Sequence, residues 1–139
     1  MFYEVTIMHS EIDAKGVNKE ILSKYIVDEC ESFTQAEYKA FEYVAPTSDG
    51  VCDVTTMKRS KIREFINTQS EEAEQGIYVA KVADVFVDDN GNEKEIKYDV
   101  AIWATSVGEA NELVGEYLKQ GMEDFRIIGV KRTKFVDLI

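Results

Sequence analysis

Hydrophobic and polar residues follow one another in the same order in the two halves of the chain. Near the start, residues 2–8 alternate, with Tyr3, Val5 and Ile7 on one face, which is the pattern of a half-buried strand. The polar residues 9–20 predict a hairpin loop. The first half as a whole predicts strand, strand, helix and strand, at residues 2–8, 21–27, 33–44 and 51–58.

Short signals predict where each helix begins and ends. Ser32 with Gln35, and Ser106 with Glu109, have the spacing of a capping box. Residues 45–50, with their proline and glycine, end the first helix, and Gly121 ends the second. The apolar face of each helix includes a tyrosine, Tyr43 in the first and Tyr117 in the second. The second half therefore predicts the same elements again, with strands at 77–87, 95–103 and 125–131.

A ten-residue pattern occurs twice and predicts a duplicated unit. Residues 57–66 and 130–139 both run apolar, Lys, Arg, hydroxyl, Lys, apolar, variable, acid, apolar, Ile. A unit of about 65 residues would bury only about 60 % of its surface alone, so we expect the two units to pair. The predicted fold class is α+β: two tandem pseudo-symmetric ββαβ repeats forming one antiparallel or mixed sheet, with two helices packed on one face. In this prediction one compact domain holds a first repeat (1–66), an acidic linker (67–76) and a second repeat (77–139).

Two segments resemble those of a known family. They are Ser-Phe-Thr-Gln-Ala-Glu at residues 32–37 and Gly-Ile-Tyr-Val-Ala-Lys-Val at residues 76–82. The chain resembles a domain-of-unknown-function family of small proteins from Bacteroidetes and from the phages and mobile elements that infect them. The resemblance covers nearly the full length and implies the family's fold and a phage or mobile-element origin. It carries over no catalytic residue.

The chain is acidic overall but has two basic stretches. Sixteen Lys and Arg residues stand against 27 Asp and Glu residues, for a formal net charge of −11. Residues 57–66 and 126–139 each carry a net +3, so the acidic residues are concentrated elsewhere. This charge opposes indiscriminate binding to DNA or anionic lipid, yet leaves two local basic sites.

Cysteine use and the amino-terminal residues predict a cytoplasmic protein. Cys30 and Cys52 lie in unlike contexts without a CxxC spacing, which favours two reduced thiols over a disulfide. The first residues lack a basic signal-peptide region, and no apolar run approaches the roughly 18 residues that a membrane span needs. We therefore expect no export and no membrane partner.

The sequence favours a non-enzymatic protein. His9 is the only histidine, and we expect no histidine-based triad, dyad or multi-histidine metal site. Residues 88–93 crowd oxygen ligands into a short loop, but a calcium loop needs wider spacing, so we interpret them as a solvated hairpin tip around Asn90-Gly91. No glycine-rich phosphate loop is present. We expect no cofactor and no metal.

The basic stretches are the best candidate site. They could contact phosphates along a single nucleic-acid strand, and Trp103 with aromatic residues on an open sheet face could stack bases. The alternative is that these cations are solvated, blunt an exposed sheet edge and pair with acids, and that the aromatic residues belong to the core. The candidate residues are Lys58, Arg59, Lys61, Arg63, Arg126, Lys131, Arg132, Lys134 and Trp103.

Two functions remain open from the sequence. The first is accessory nucleic-acid binding, single-stranded and weakly sequence-specific. The second is an acidic protein-interaction module that binds a host or phage protein, or a second copy of the chain as a homodimer, and that could mimic nucleic-acid charge.

Overall fold

The computed structural model describes residues 1–121 and 124–139, which form eight strands and two α-helices. In chain order the elements are β1 (Tyr3–Ile12), β2 (Asn18–Val27), α1 (Phe33–Val44), β3 (Cys52–Arg59), β4 (Ile62–Ile66), β5 (Gly76–Val87), β6 (Glu93–Ala104), α2 (Val107–Leu118), β7 (Asp124–Arg132) and β8 (Phe135–Leu138). A 3₁₀ turn at Ala45–Thr47 follows α1. The strands predicted from alternation are confirmed, and β4 and β8 are additional.

The first hairpin is longer than its polarity suggested. β1 runs on to Ile12 and β2 begins at Asn18, so only five residues form the turn. Within it, the Asp13 carboxylate accepts a hydrogen bond from the backbone amide of Val17 at 2.9 Å, and Gly16 adopts a φ of +77°. A side chain that satisfies the turn amides and a glycine that tolerates positive φ allow a tight turn.

Both predicted helix starts are confirmed. The Ser32 hydroxyl accepts from the Gln35 amide at 3.2 Å, and the Ser106 hydroxyl accepts from the Glu109 amide at 3.1 Å. The Gln35 and Glu109 side chains accept hydrogen bonds in turn from the backbone amides of Glu31 and Thr105. In a standard capping box the donor would be the amide of the serine itself, one residue later. Each N-cap serine therefore satisfies one first-turn amide of its helix, that of Gln35 in α1 and that of Glu109 in α2.

The strands form two four-stranded sheets, so the prediction of one sheet is wrong. The orders are β3-β1-β2-β8 and β4-β6-β5-β7 among the described residues. β1–β2 and β5–β6 are antiparallel hairpins, whereas β8 pairs in parallel with β2, and β4 pairs in parallel with β6. The outer edges of β2 and β6, through which the two hairpins could have joined one sheet, are thus paired with the short strands β8 and β4.

The two short strands are exchanged between the halves of the chain. After β3 the chain leaves the first sheet, and β4 joins the second; after β7 it returns, and β8 joins the first. The chain accordingly divides into two compact units, unit 1 (Met1–Ser60 with Lys134–Ile139) and unit 2 (Lys61–Thr133). The segment predicted as a linker is the loop from β4 to β5 within unit 2. The prediction that both halves form one compact domain stays a prediction.

Each unit has its own core, in which one helix packs on one face of its own sheet. In unit 1 the core consists of Tyr3, Val5, Ile7, Tyr25, Val27, Cys30, Ala36, Ala40 and Val44. In unit 2 it consists of Tyr78, Ala80, Val82, Val100, Ile102, Ala104, Ala110 and Val114. Ala36 and Ala40 on α1, and Ala110 on α2, let each helix axis approach its sheet closely, while the alternate residues of each strand point to the helix-free face.

A tyrosine on each helix holds the exchanged strand of its unit. The Tyr43 hydroxyl on α1 donates to Asp137 Oδ2 on β8 at 2.5 Å, and the Tyr117 hydroxyl on α2 donates to Glu64 on β4. The bond to Asp137 is the main cause that raises the pKa of Tyr43 to about 12, and the bond to Glu64 raises the pKa of Tyr117. These tyrosines, expected on the apolar faces, thus fix the exchanged strands through their hydroxyls.

A lysine-lined groove as the candidate functional site

Four lysines line adjoining depressions on the helix-free face of unit 2. One depression, of about 520 Å³, is lined by Lys61, Lys81 and Lys131 together with Asp99 and an apolar floor that includes Val79. A second, of about 390 Å³, shares Lys61, Lys81 and Asp99 and adds Lys97. We call this surface the lysine groove, defined by Lys61, Lys81, Lys97 and Lys131.

Strand register brings these lysines together. Lys81 on β5 lies opposite Asp99 on β6 and opposite Gly129 on β7. Lys131 lies two positions along β7, opposite Val79. Lys61 immediately precedes β4, whose first residue also pairs with Asp99. Four separate segments of the chain therefore contribute to one surface.

Gly129 leaves the centre of the groove open. A Cβ atom added at this position would meet no other heavy atom within 4 Å. The register between β5 and β7 also shifts next to this position, between Lys81 and Val82. A glycine and an irregularity of this kind are typical of places where a strand leaves room for another molecule.

The charge of the groove is largely uncompensated. Within residues 1–121 and 124–139, no carboxylate lies within the 4.0 Å ion-pair distance of Lys61, Lys81, Lys97 or Lys131. Asp99 is the one acid among the lining residues, so the groove carries four positive charges and one negative charge. Surface lysines without local partners are suited to a polyanion, because they lose no existing ion pair on binding.

Two of the other candidate cations, Arg63 and Arg126, are engaged with neighbouring groups. The Arg63 guanidinium lies 4.6 Å from the centre of the Tyr98 ring and 4.0 Å from Asp84 Oδ2. Arg126 forms a 2.6 Å ion pair with Glu95. These contacts agree with the alternative interpretation that strand-end cations pair with acids.

Arg132 lies against backbone rather than in the groove. A Cβ atom at Gly76 would come within 2.9 Å of Arg132 Nε, so the guanidinium occupies the space that the glycine leaves free. Lys58 and Arg59 end β3 in unit 1, where Lys58 Nζ lies 3.8 Å from Glu4 Oε1. Lys134 is exposed and also belongs to unit 1.

Trp103 does not fit the stacking role suggested for it. Its side chain is only 5 % exposed, and it lies opposite Ile77, which is fully buried. The ring centre is 6.5 Å from that of Phe65 on the neighbouring strand. Because an indole in this environment is part of the packed interior, a base has no access to its face.

His9 is part of a buried polar pair in unit 1. His9 Nε2 lies 2.8 Å from Ser23 Oγ, and the two residues are 5 % and 8 % exposed. In the part of the chain that the structure describes, His9 Nδ1 has no hydrogen-bond partner, although Glu11 Oε1 is 3.8 Å away. Such a buried contact matches a residue that packs in the core; the absence of enzymatic activity remains a prediction.

The acidic hairpin tip is organised by its own backbone. The Asp88 carboxylate accepts hydrogen bonds from the amides of Asn90 at 3.0 Å and Asn92 at 2.9 Å, and Gly91 adopts a φ of +80°. Among the described residues, no group of three or more His, Cys, Asp or Glu side chains is arranged to hold a metal ion.

Sequence reasoning identified Lys61 and Lys131 but missed Lys81 and Lys97. The repeated basic motif contains the first two, whereas the other two lie in ordinary strands. One signal was available: Lys81 interrupts the run Ile77 to Ala83, in which the other residues are apolar. A single lysine at the centre of an otherwise buried strand indicates a site where the sheet face is open to solvent.

Comparison with known proteins identifies a family. A protein-family model described as Domain of unknown function (DUF4494) matches residues 1–139. No curated protein matches the chain, and no solved structure does. In the part of the chain that the structure describes, neither helix is long and apolar enough to cross a membrane.

Proposed function

The chain belongs to the family described as Domain of unknown function (DUF4494), and from the lysine groove we propose that it is a non-enzymatic accessory protein that binds single-stranded nucleic acid with weak sequence specificity. The observation that carries this proposal is the convergence around one acid of four lysines that have no ion-pair partner among the described residues. Such a surface attracts the phosphate backbone, which is common to all nucleic-acid sequences.

The composition of the groove supports backbone contacts rather than base readout. The one aromatic residue among its lining residues is Tyr98, which is half-buried with Arg63 over its ring, and Trp103 is buried. Lysine is a flexible point charge that selects for phosphate but not for a particular base. Binding should therefore depend strongly on salt and little on sequence.

The salt dependence can be estimated from the number of lysines. If about four phosphates of a single strand are neutralised, the log–log slope of affinity against salt is near −2.8, which is a roughly 50-fold loss between 50 and 200 mM. The net charge of −11 does not prevent such binding, since charges more than about 8–10 Å away are largely screened at physiological ionic strength.

The proposal is tested by fluorescence anisotropy of a labelled 12-nucleotide single strand. The wild type is compared with Lys61→Gln/Lys81→Gln/Lys131→Gln, which empties the groove of three charges, and with Lys15→Gln/Lys94→Gln/Lys119→Gln. The second variant removes the same overall charge from exposed positions elsewhere, so it separates the local effect of the groove from the effect of net charge.

We expect binding by the wild type at 50 mM salt that weakens at 200 mM, at least tenfold weaker binding by the groove variant, and near-normal binding by the control. No binding by the wild type at low salt would overturn the proposal. Equal weakening in both variants would show that total charge, and not the groove, governs any association.

A second candidate function, an acidic protein-interaction module, is favoured by the outer surface of α1. Tyr38 is 67 % and Phe41 43 % exposed, and they lie one turn apart beside Glu37 and Glu42. Exposed aromatic rings beside carboxylates are suited to lysine and arginine side chains of a protein partner. Affinity for a basic protein that is unchanged in the groove variant, with no nucleic-acid binding, would favour this second function.

The proposed origin and architecture rest on other observations. A phage or mobile element as source, and the cytoplasm as location, rest on the family resemblance and on the cysteine pattern. A duplicated ββαβ unit is supported by the corresponding orders β3-β1-β2-β8 and β7-β5-β6-β4, and by two helices capped by serine.

A further inference from the structure

Unit 1 has a pocket at the position that corresponds to the lysine groove. It lies on the helix-free face of β1, β2 and β3, with a volume of about 250 Å³. Its polar side chains come from Glu4 and Thr6 on β1, Lys24 on β2, and Thr56 and Lys58 on β3. We call it the unit-1 pocket.

The strand registers align the two sites position by position. In unit 2, Tyr78 pairs with Arg132 and with Ile102; in unit 1, Tyr3 pairs with Arg59 and with Val27. Counting along each strand from these pairs, the unit-1 pocket presents the following residues in place of those of the lysine groove: Lys58 for Lys131, Thr6 for Lys81, Lys24 for Asp99, Thr56 for Gly129 and Glu4 for Val79.

The residue types differ, but the chemistry is related. Lys131 on β7 is matched by Lys58 on β3, the corresponding edge strand of unit 1, so both sites have a lysine at this position. In unit 2, Lys81 on β5 is the cation and lies opposite the acid Asp99 on β6. In unit 1, the cation Lys24 is on β2, the strand that corresponds to β6, and it lies opposite Thr6 on β1. Two lysines and two hydroxyls can together donate to the oxygens of one phosphate group.

We propose that the unit-1 pocket is a second phosphate-binding site, so that one chain engages two segments of nucleic acid. This inference rests on the proposed function, because it assigns to unit 1 the same class of ligand. It adds a stoichiometry of two and a difference in affinity between the sites.

The two sites should be unequal because their charges differ. The unit-1 pocket has two lysines against one acid, and Glu4 lies 3.8 Å from Lys58. The lysine groove has four lysines against one acid. The unit-1 pocket therefore binds more weakly and with a shallower salt dependence, since fewer phosphates are neutralised.

A substitution at Glu4 should make the unit-1 pocket bind phosphate more tightly. Glu4→Gln removes the carboxylate that competes with phosphate for Lys58, while it keeps a side chain of similar size. One charge contact at about 4 Å in water is worth about 1 kcal/mol, so we expect the affinity of the unit-1 pocket to rise about fivefold and that of the lysine groove to stay the same.

The experiment is an amide NMR titration of the full chain with a single-stranded hexanucleotide, (dT)6, and separately with tripolyphosphate. The amides of Thr6, Lys24 and Thr56 report on the unit-1 pocket, and those of Lys81 and Lys131 on the lysine groove. The variants are Lys24→Gln/Lys58→Gln, Lys61→Gln/Lys81→Gln/Lys131→Gln, and Glu4→Gln; their spectra also show whether each is folded.

We expect (dT)6 to shift both sets of amides with two different saturation curves, and each lysine variant to lose only the set in its own unit. Shifts confined to Lys81 and Lys131 would overturn the second site but leave the proposed function intact. A response of the unit-1 amides to tripolyphosphate alone would overturn its assignment to nucleic acid. No shift anywhere would overturn the proposed function, and the second site with it.

Discussion

Lys81 has an exposed, solvated charge although its neighbours on the same face of β5 are buried. Val79 and Ala83, two positions away on the same face of β5, are 8 % and 0 % exposed, yet Lys81 itself is exposed. Gly129, opposite it, leaves the side chain free to reach water, so the ammonium group is not desolvated. The residue makes no ion pair within the described part of the chain. It therefore adds little to stability and is available for a ligand.

Lys81→Gln should separate binding from folding. We expect the free energy of unfolding to change by no more than about 0.5 kcal/mol, as at other exposed positions without partners. The log–log salt slope of single-strand binding should become less steep by about 0.7, because one phosphate contact is lost. Urea denaturation and anisotropy at several salt concentrations measure the two quantities, with Lys94→Gln as the control on the neighbouring strand. A large loss of stability would instead show that Lys81 has a structural role.

Tyr43 should make the stability of unit 1 sensitive to alkaline pH. Its folded-state pKa is raised to about 12, first because its hydroxyl donates to Asp137, whereas an unfolded tyrosine titrates near 10. A raised pKa means that the folded state holds the proton more tightly, so this contribution is complete below about pH 10 and is lost as the pH rises toward 12.

In Tyr43→Phe, the decline of stability between pH 10 and 12 should be smaller than in the wild type. The decline should not vanish, because burial and a hydrogen bond to Asp84 also raise the pKa of Tyr98 to about 12. Denaturation at pH 8, 10 and 11.5 checks this. Tyr38→Phe is the comparison, because a hydrogen bond to Glu42 on its own helix raises the pKa of Tyr38 and its removal leaves the Asp137 bond intact. An identical decline in Tyr43→Phe and the wild type would contradict the role of the Asp137 bond.

At the scale of elements, features that depend on residues near in sequence, such as helix starts, could be predicted. Features that depend on which strands pair, such as the sheet that β4 joins, could not. The helix starts at Ser32 and Ser106 follow from side chains that bind amides three residues away. Strand β4 has only five residues and looks like a continuation of β3, because periodicity identifies a strand but not the sheet that it joins. For the same reason the repeated motif revealed Lys61 and Lys131, while Lys81 and Lys97 required the register between strands.

The helix caps should contribute independently. Ser32→Ala and Ser106→Ala each remove a side-chain acceptor from the first turn and should lower the free energy of unfolding by about 1 kcal/mol. Since the two serines lie in different units, their effects should add in the double variant to within about 0.5 kcal/mol. Denaturation of both single variants and the double variant tests this, with Thr34→Ala as a comparison inside the first turn of α1. Unchanged stability in either single variant would mean that water replaces the cap.

At the scale of the whole molecule, the exchange of β4 and β8 means that one unit is a continuous segment of the chain and the other is not. Unit 2 is one continuous segment, Lys61–Thr133, whereas unit 1 is completed by the last six residues of the sequence. β8 fills the edge beside β2, and the Ile139 amide donates to the Ile26 carbonyl at 2.8 Å. Loss of this segment should therefore affect one unit selectively.

Deletion of residues 134–139 should reduce hydrogen-exchange protection in β2 and α1 but not in β5 and β6. The deletion exposes one side of β2 and removes the partner of Tyr43, while every strand of unit 2 is retained. Amide exchange followed by mass spectrometry or NMR distinguishes the two units. Equal loss of protection in both would show that they unfold as a single cooperative body.

The exchange of β8 also determines which unit can be completed first during synthesis on the ribosome. Unit 2 has all its residues once Thr133 has been made, but residues 1–60 must wait for residues 134–139. At about 5–20 residues per second, the first-made sheet stands incomplete for roughly 4–16 s. During that interval β2 has an unpaired edge, which is the kind of surface that other nascent chains and chaperones bind. Of the two units, the one whose residues begin to be made earlier is thus expected to be completed later.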